Sequence, residues 1–275
     1  MTRNVDLASS HSAETSNSTS LLVVWDVHPD EIEINQAFTA SLKQDNPPFE
    51  TIQGNVLAAF LGKRQWRKNL NNCFPPDFKT PIDLEAPVYE KLRAAYICRA
   101  MKFFDLVVGL HGATSDLEYL LVSPHAAPLV QGAATIFNEE GYGRGPHSMY
   151  PIIESSPGMM SHLPNAMDLE FAGDPEENIS FLWQKLGQLA AMHPKEITTR
   201  ARMQATHTFL GDMTVQEAKR LGLDPEASYP PFTSLSDEAP QHDYPPGTRI
   251  LAWEPGGKDN GDASIIAELI VPKAA

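Results

Sequence analysis

The chain has 275 residues, 42% of them hydrophobic and 20% charged, with a mean hydropathy of −0.28. That is the composition of a folded protein with a substantial core, and it excludes a short scaffold or a wholly disordered chain. Lys and Arg total 21 against 35 for Asp and Glu, a net charge of −14, which disfavours phosphate backbones and anionic lipid, so neither nucleic acid nor a membrane is an expected partner. The two cysteines, Cys73 and Cys98, can build neither a disulfide framework nor a thiolate zinc site, and a cytoplasmic setting is expected.

Met1 to Ser20 is rich in Ser, Thr and Asn, lacks the apolar stretch of a signal peptide, and reads as a disordered tail. The apolar run Leu21 to Val27 predicts a strand, and Asp30 to Lys43, with Ile34, Ala37, Phe38 and Leu42 on one face, predicts the helix it feeds. Phe49 to Gly54 predicts a second strand and Val88 to Phe104 a long helix. Strands are expected at Asp105 to Leu110, Tyr119 to Val122, Met149 to Ile153 and Ala166 to Phe171, with helices at Leu129 to Asn138 and Glu176 to Met192. Strands alternating with helices imply a three-layer α/β/α sandwich around a mostly parallel mixed sheet. Beyond His193 the texture changes: Tyr229 to Gly247 is dense in Pro, Ser, Asp and Tyr, and Arg249 to Glu254 and Ala263 to Val271 read as strands. The expected organisation is a tail over residues 1–20, an α/β domain over 21–200 and a small β-rich appendage over 201–275. There is no internal repeat.

A divalent metal in a hydrolase takes about three His, Asp or Glu ligands and keeps one position open for water. Three His-x-x-Glu pairs occur. His11 and Glu14 lie in the tail, and His193 and Glu196 where a helix ends. Only His28 and Glu31 follow a strand directly, at the carboxyl end where open α/β sheets place their sites. His111 stands one residue beyond the run Asp105 to Leu110, either as a third ligand or as a half-buried His closing a loop. Glu170 sits inside the apolar strand Met167, Leu169, Phe171, where a carboxylate is costly unless it faces a cleft or a metal. An outward-facing charge on an edge strand, which the alternation Asp168, Glu170 would allow, is the lesser alternative. Arg64, among Lys63, Arg67 and Lys68, is by default a solvated charge. His125, His147, His162, His207 and His242 read as loop or surface residues, and no Gly-x-Ser-x-Gly elbow of a serine hydrolase occurs.

Several motifs, in order, resemble those of the aspartoacylase and succinylglutamate desuccinylase family of zinc hydrolases, relatives of the zinc carboxypeptidases. His28-Pro29-Asp30-Glu31 resembles the family's His-Gly-Asn-Glu, and Asn69-Leu70-Asn71-Asn72-Cys73-Phe74 its Asp-Leu-Asn-Arg-x-Phe. Gly109-Leu110-His111-Gly112-Ala113-Thr114 resembles its Asp-Leu-His-x-Thr-Thr, and Leu169-Glu170-Phe171 its Leu-Glu-hydrophobic strand. Asn55, Arg64 and Leu70 fit a further family spacing without gaps. The resemblance runs from Leu21 to Met192 and implies a zinc exopeptidase-like fold with one zinc ion per chain. It makes His28, Glu31 and His111 the zinc ligands, Glu170 the base, Arg64 the group that polarises the scissile carbonyl and Asn71 a substrate-binding residue.

The implied activity is hydrolysis of the amide, or ester, bond of a small N-acylated amino acid. A metallo-carboxypeptidase or esterase with the same metal set, and a metal-retaining homologue without turnover, are the alternatives. Departures from the family pattern bear on this choice. Asn72 stands where the family has the Arg that grips the substrate carboxylate, and no Arg occurs between Met159 and Glu170, where a second is expected. Arg67 and Lys68 are the nearby basic residues that could take over that charge. Gly109 replaces an Asp close to the metal His, and Pro29 and Asp30 replace Gly and Asn, so outer support for the metal site must come from elsewhere, with Asp26 and Asp30 as nearby candidates. A homo-oligomer is compatible with the sequence, which does not specify one.

Overall fold

A computed structural model describes residues 18–28, 31–44, 47–61, 69–80, 82, 89–112, 117–139, 152–157, 159–202, 205–238, 243–259 and 264–273. The elements run β1 (Leu21–Trp25), α1 (Ile32–Gln44), β2 (Glu50–Gln53), α2 (Val56–Phe60), α3 (Tyr89–Met101), β3 (Leu106–Gly112), β4 (Tyr119–Val122), α4 (Pro128–Glu139), β5 (Ile152–Glu154) and β6 (Ala166–Phe171). They continue as α5 (Pro175–Ala191), α6 (Pro194–Thr198), β7 (His207–Thr214), α7 (Val215–Arg220), β8 (Thr233–Ser234), α8 (Leu235–Glu238), β9 (Arg249–Asp259) and β10 (Ser264–Pro272). Two single-turn 3-10 helices, Leu70–Cys73 and Met160–His162, complete the described elements.

The strands form one mixed sheet in the order β2-β1-β3-β6-β4-β5-β7-β10-β9-β8. From β2 through β7 the pairings are parallel except for β4 against β6, and the remaining pairs are antiparallel. Central parallel strands are covered on both faces, which is why β1, β3 and β6 are apolar runs rather than alternating ones. One face carries Val23, Val108, Leu110, Leu120, Met167 and Leu169 and packs on α1, α4 and α5 through Phe38, Phe137 and Leu182. The other carries Leu22, Val24, Val107 and Ala166 and packs on α3 through Ala94, Ile97 and Met101. This is the expected α/β/α arrangement.

The longest helix is fixed at its start by its own sequence. Asp174 caps α5 by accepting hydrogen bonds from the amides of Glu176 and Glu177, and Pro175 occupies the first helical position, where its missing N–H costs nothing. The C-terminal strands extend the main sheet through parallel pairing of β5 with β7, while keeping a small core of their own around Met213, Leu235, Ile250, Trp253 and Leu269. Strand β7 escapes the sequence reading because its residues are mostly half-buried, so neither alternation nor a continuous apolar run announces it. Of the predicted strand at Met149 to Ile153, residues 149–151 lie outside the described residues, as does nearly all of the N-terminal tail.

Candidate metal centre and its cavity

Directly after β1 the chain turns sharply at Asp26, whose φ of 57° is left-handed, a conformation Asp and Asn tolerate better than other side chains. Asn35 of α1 clamps this turn. Its side-chain oxygen accepts from the Asp26 amide at 3.2 Å, and its Nδ2 donates to Asp26 Oδ1 at 3.1 Å and to the His28 carbonyl at 3.2 Å. Gln53 of β2 donates to the other Asp26 oxygen at 2.7 Å. Burial pushes the Asp26 carboxyl up to about 6, against the Gln53 hydrogen bond and with help from nearby Glu31. The folded state therefore takes up this proton before the unfolded chain does as pH falls. Relative to an Asp26→Asn variant, which keeps the left-handed turn, the wild type should gain stability as pH falls from about 6 through the ordinary value of 3.8. Urea unfolding of both proteins across that range checks this, and a constant difference between them would refute it.

The turn delivers His28 and Glu31 over the end of the sheet, both buried. His28 Nδ1 lies 2.8 Å from Glu31 Oε1, and His28 Nε2 lies 2.9 Å from Asn69 Oδ1. Since an amide oxygen only accepts, Asn69 assigns a proton to Nε2 and leaves Nδ1 as the nitrogen directed at Glu31. The second oxygen of Glu31 accepts from the Gly112 amide at 3.0 Å and stands 3.7 Å from His111 Nδ1. The imidazole rings of His28 and His111 lie 5.1 Å apart. One candidate ligand atom from each of His28, Glu31 and His111 falls within 4.8 Å of the other two. His111 is not beyond the strand, as the sequence suggests, but inside β3, which continues to Gly112.

These residues fit a metal. His111 is fully buried, and neither ring nitrogen has a hydrogen-bond partner, an arrangement that is costly without an ion or a charge to face. Two imidazoles and a carboxylate are donors that suit zinc. Glu31 offers Oε1 to His28 Nδ1 at 2.8 Å and Oε2 to His111 Nδ1 at 3.7 Å, so its carboxylate stands between the two imidazoles. Burial would lower the His111 pKa, but the carboxylates of Glu170, Glu31 and Asp168 overcome it and raise it to about 10. Glu31, which burial would raise, is held well below the ordinary carboxylate range by His28 and His111.

Glu170 is not an edge-strand charge. It lies on β6 between β3 and β4, beside His111 in register and opposite Tyr119, in a strand buried throughout. Burial, reinforced by Glu31, Glu268 and Asp168 and opposed by His111, lifts its carboxyl well above the usual range. It lines a cavity of 210 Å³ together with His28, Glu31, Asn69, Asn72 and Tyr119, and with Asp212 and Glu268 from the C-terminal strands. Tyr119 donates its hydroxyl to Glu268 at 2.6 Å, so the β-rich end of the chain closes one side of this cavity.

Not every expected residue falls within view. Arg64 lies outside the described residues, as do Pro29, Asp30, Arg67 and Lys68, and the Asn71 side chain is likewise not described. Asp26, a candidate support for the site, acts on the turn. Asn35, Tyr119, Asp168 and Glu268 were missed, although Glu268 is a lone acid in the run Ile265 to Val271, the same signal that singled out Glu170. His162, expected on a loop or surface, is buried with Nδ1 3.0 Å from the Ser155 carbonyl.

Solved structures of the aspartoacylase and succinylglutamate desuccinylase family share this α/β architecture. The chain superposes on succinylglutamate desuccinylase from Chromobacterium violaceum with a TM-score of 0.59 at 15% identity, over 95% of this chain and 86% of that one. Murine aminoacylase 3 gives 0.52 at 12% identity, over 93% and 96%. An aspartoacylase family protein from Mesorhizobium loti gives 0.51 at 17% identity, over 94% and 87%. No protein-family model matches the chain, and no curated protein sequence does. No described helix is long and apolar enough to cross a membrane.

Proposed function

We propose that the chain is a zinc-dependent hydrolase that cleaves the amide bond of a small N-acylated amino acid, with His28, Glu31 and His111 as the ligands of one zinc ion. The observation that carries this reading is the convergence of those three side chains beside a cavity lined by Glu170. Held by His28, Glu31 and His111, zinc would supply Lewis acidity, bringing the pKa of water from 15.7 to about 7 and polarising the scissile carbonyl. Glu170 takes the proton of the attacking water and passes it to the leaving nitrogen, a role typically worth about 10²–10⁴ in rate. Arg64 supplies a fixed positive charge to the oxygen that becomes negative as the carbonyl is attacked, and Asn71 orients the substrate. Three protein donors with a carboxylate beside them are the donor set of catalytic rather than closed structural sites, and a metal held by them would be open to water or substrate. The chain acts in the cytoplasm on a small molecule.

Asn72 lines the cavity where the family pattern has a carboxylate-gripping Arg, so substrate choice has to be read from a panel. Purified protein should contain one zinc per chain and hydrolyse members of a set of N-acetyl and N-succinyl amino acids. That activity should be lost with a chelator and restored by zinc. Cleavage of peptides or simple esters alone would favour the carboxypeptidase or esterase reading. Bound zinc without turnover on any of them would favour a binding protein.

A further inference from the structure

We propose that Asp168 is the positioning carboxylate of His111, reaching it from the neighbouring strand through the space that Gly109 leaves empty. This rests on His111 being a metal ligand, as proposed above. Gly109 and Asp168 are register partners on β3 and β6, as are His111 and Glu170. Side chains two apart on a strand share a face, so 109, 111, 168 and 170 all project from the same side of the sheet. A Cβ placed on Gly109 would lie 2.0 Å from Asp168 Oδ1 and 2.6 Å from the Met160 methyl. Any other residue at 109 would therefore expel the Asp168 carboxylate from where it stands. From that position Oδ1 is 3.9 Å from His111 Nε2.

Both groups are fully buried, the His111 nitrogens have no hydrogen-bond partner, and of the described polar groups around Asp168 only Ser161, whose amide and hydroxyl act to lower its carboxyl, is a neutral donor. A buried imidazole and a buried carboxylate that face each other inside a packed core offset one another's burial. The pairing also has a direction. With Nε2 towards Asp168 and Nδ1 towards Glu31, the carboxylate holds the imidazole proton on Nε2 and keeps the Nδ1 lone pair aimed at the ligand cluster. His28 receives the same service from the Asn69 amide, so each imidazole has its own backing group. Asp168 touches no reacting atom and acts through His111.

The test is zinc affinity, measured by competition with a chromophoric chelator, in wild type, Asp168→Ala, Asp168→Asn and the double variant Gly109→Asp/Asp168→Ala. Loss of such a backing carboxylate should weaken zinc binding by about 10–100-fold in Asp168→Ala. The double variant returns a carboxylate to the same face from the opposite strand and should recover most of that loss, which a merely space-filling Asp168 would not allow. Asp168→Asn preserves the volume should the Ala variant fail to fold. In its zinc-loaded form the His111 Nε2 proton resonance should move upfield, as expected for a weaker, uncharged acceptor. Wild-type affinity in folded Asp168→Ala, or an unmoved Nε2 proton in Asp168→Asn, would overturn the proposal. Absence of zinc binding in the wild type would instead remove the metal reading on which it stands.

Discussion

Replacing Glu170 by Gln is expected to slow hydrolysis of the best N-acyl amino acid by about 10²–10⁴ while leaving zinc content at the wild-type level. The side chain keeps its shape and its place on β6 beside His111, but an amide cannot accept and return a proton at neutral pH. The same substitution should stabilise the metal-free protein. Burial and the neighbouring carboxylates raise the Glu170 pKa, so folding takes up a proton that the unfolded chain lacks above its ordinary value. Stability contributed by this site then declines as pH rises from that ordinary value toward the raised one, and Glu170→Gln removes the decline. A variant that is slower and also more stable marks a residue retained for chemistry. Unchanged turnover would defeat the assignment of Glu170 as base.

His111→Ala is expected to abolish stoichiometric zinc binding and also to destabilise the metal-free fold by about 3–5 kcal/mol, the usual cost of removing one partner from a buried ionic cluster. In the metal-free protein the protonated ring faces Glu170, Glu31 and Asp168, which would be left without it. A His whose pKa is raised contributes stability that is complete below its ordinary value and lost as pH rises through the raised one. The metal-free wild type should therefore lose stability between about 6.5 and about 10, a slope that His111→Ala lacks. Zinc must displace the same proton, so its affinity should rise with pH over that range. Elemental analysis reads the loss of zinc, urea unfolding at several pH values reads the stability and its slope, and chelator competition across the same range reads the affinity. A variant that still holds one zinc per chain would exclude His111 as a ligand.

Much of the scaffold was legible because its signals are local. The apolar runs of β1, β4 and β6, the spacing of α1 and the acidic start of α5 each announce an element without knowledge of the rest. The pair His28 and Glu31 was equally legible, three residues apart at the end of a strand. What the sequence hides is register. That Gly109 pairs with Asp168 and Tyr119 with Glu170 depends on which strands are neighbours. Without that register the sequence leaves an outward-facing alternation of Asp168 and Glu170 open, although Asp168 is fully buried. The departure at Gly109 was visible, but the residue that fills its space lies 59 positions away on another strand. The contribution of Glu268 was hidden for the same reason, since β10 reaches the cavity only through the order of the sheet.

Anomalous X-ray scattering at the zinc edge, from crystals of the purified protein grown with one equivalent of zinc, addresses the metal centre most directly. The expected result is a single strong peak about 2.0–2.2 Å from Nδ1 of His28, Nδ1 of His111 and a carboxylate oxygen of Glu31. A peak elsewhere, or none while the three side chains hold the places described here, would contradict a zinc site built from these residues.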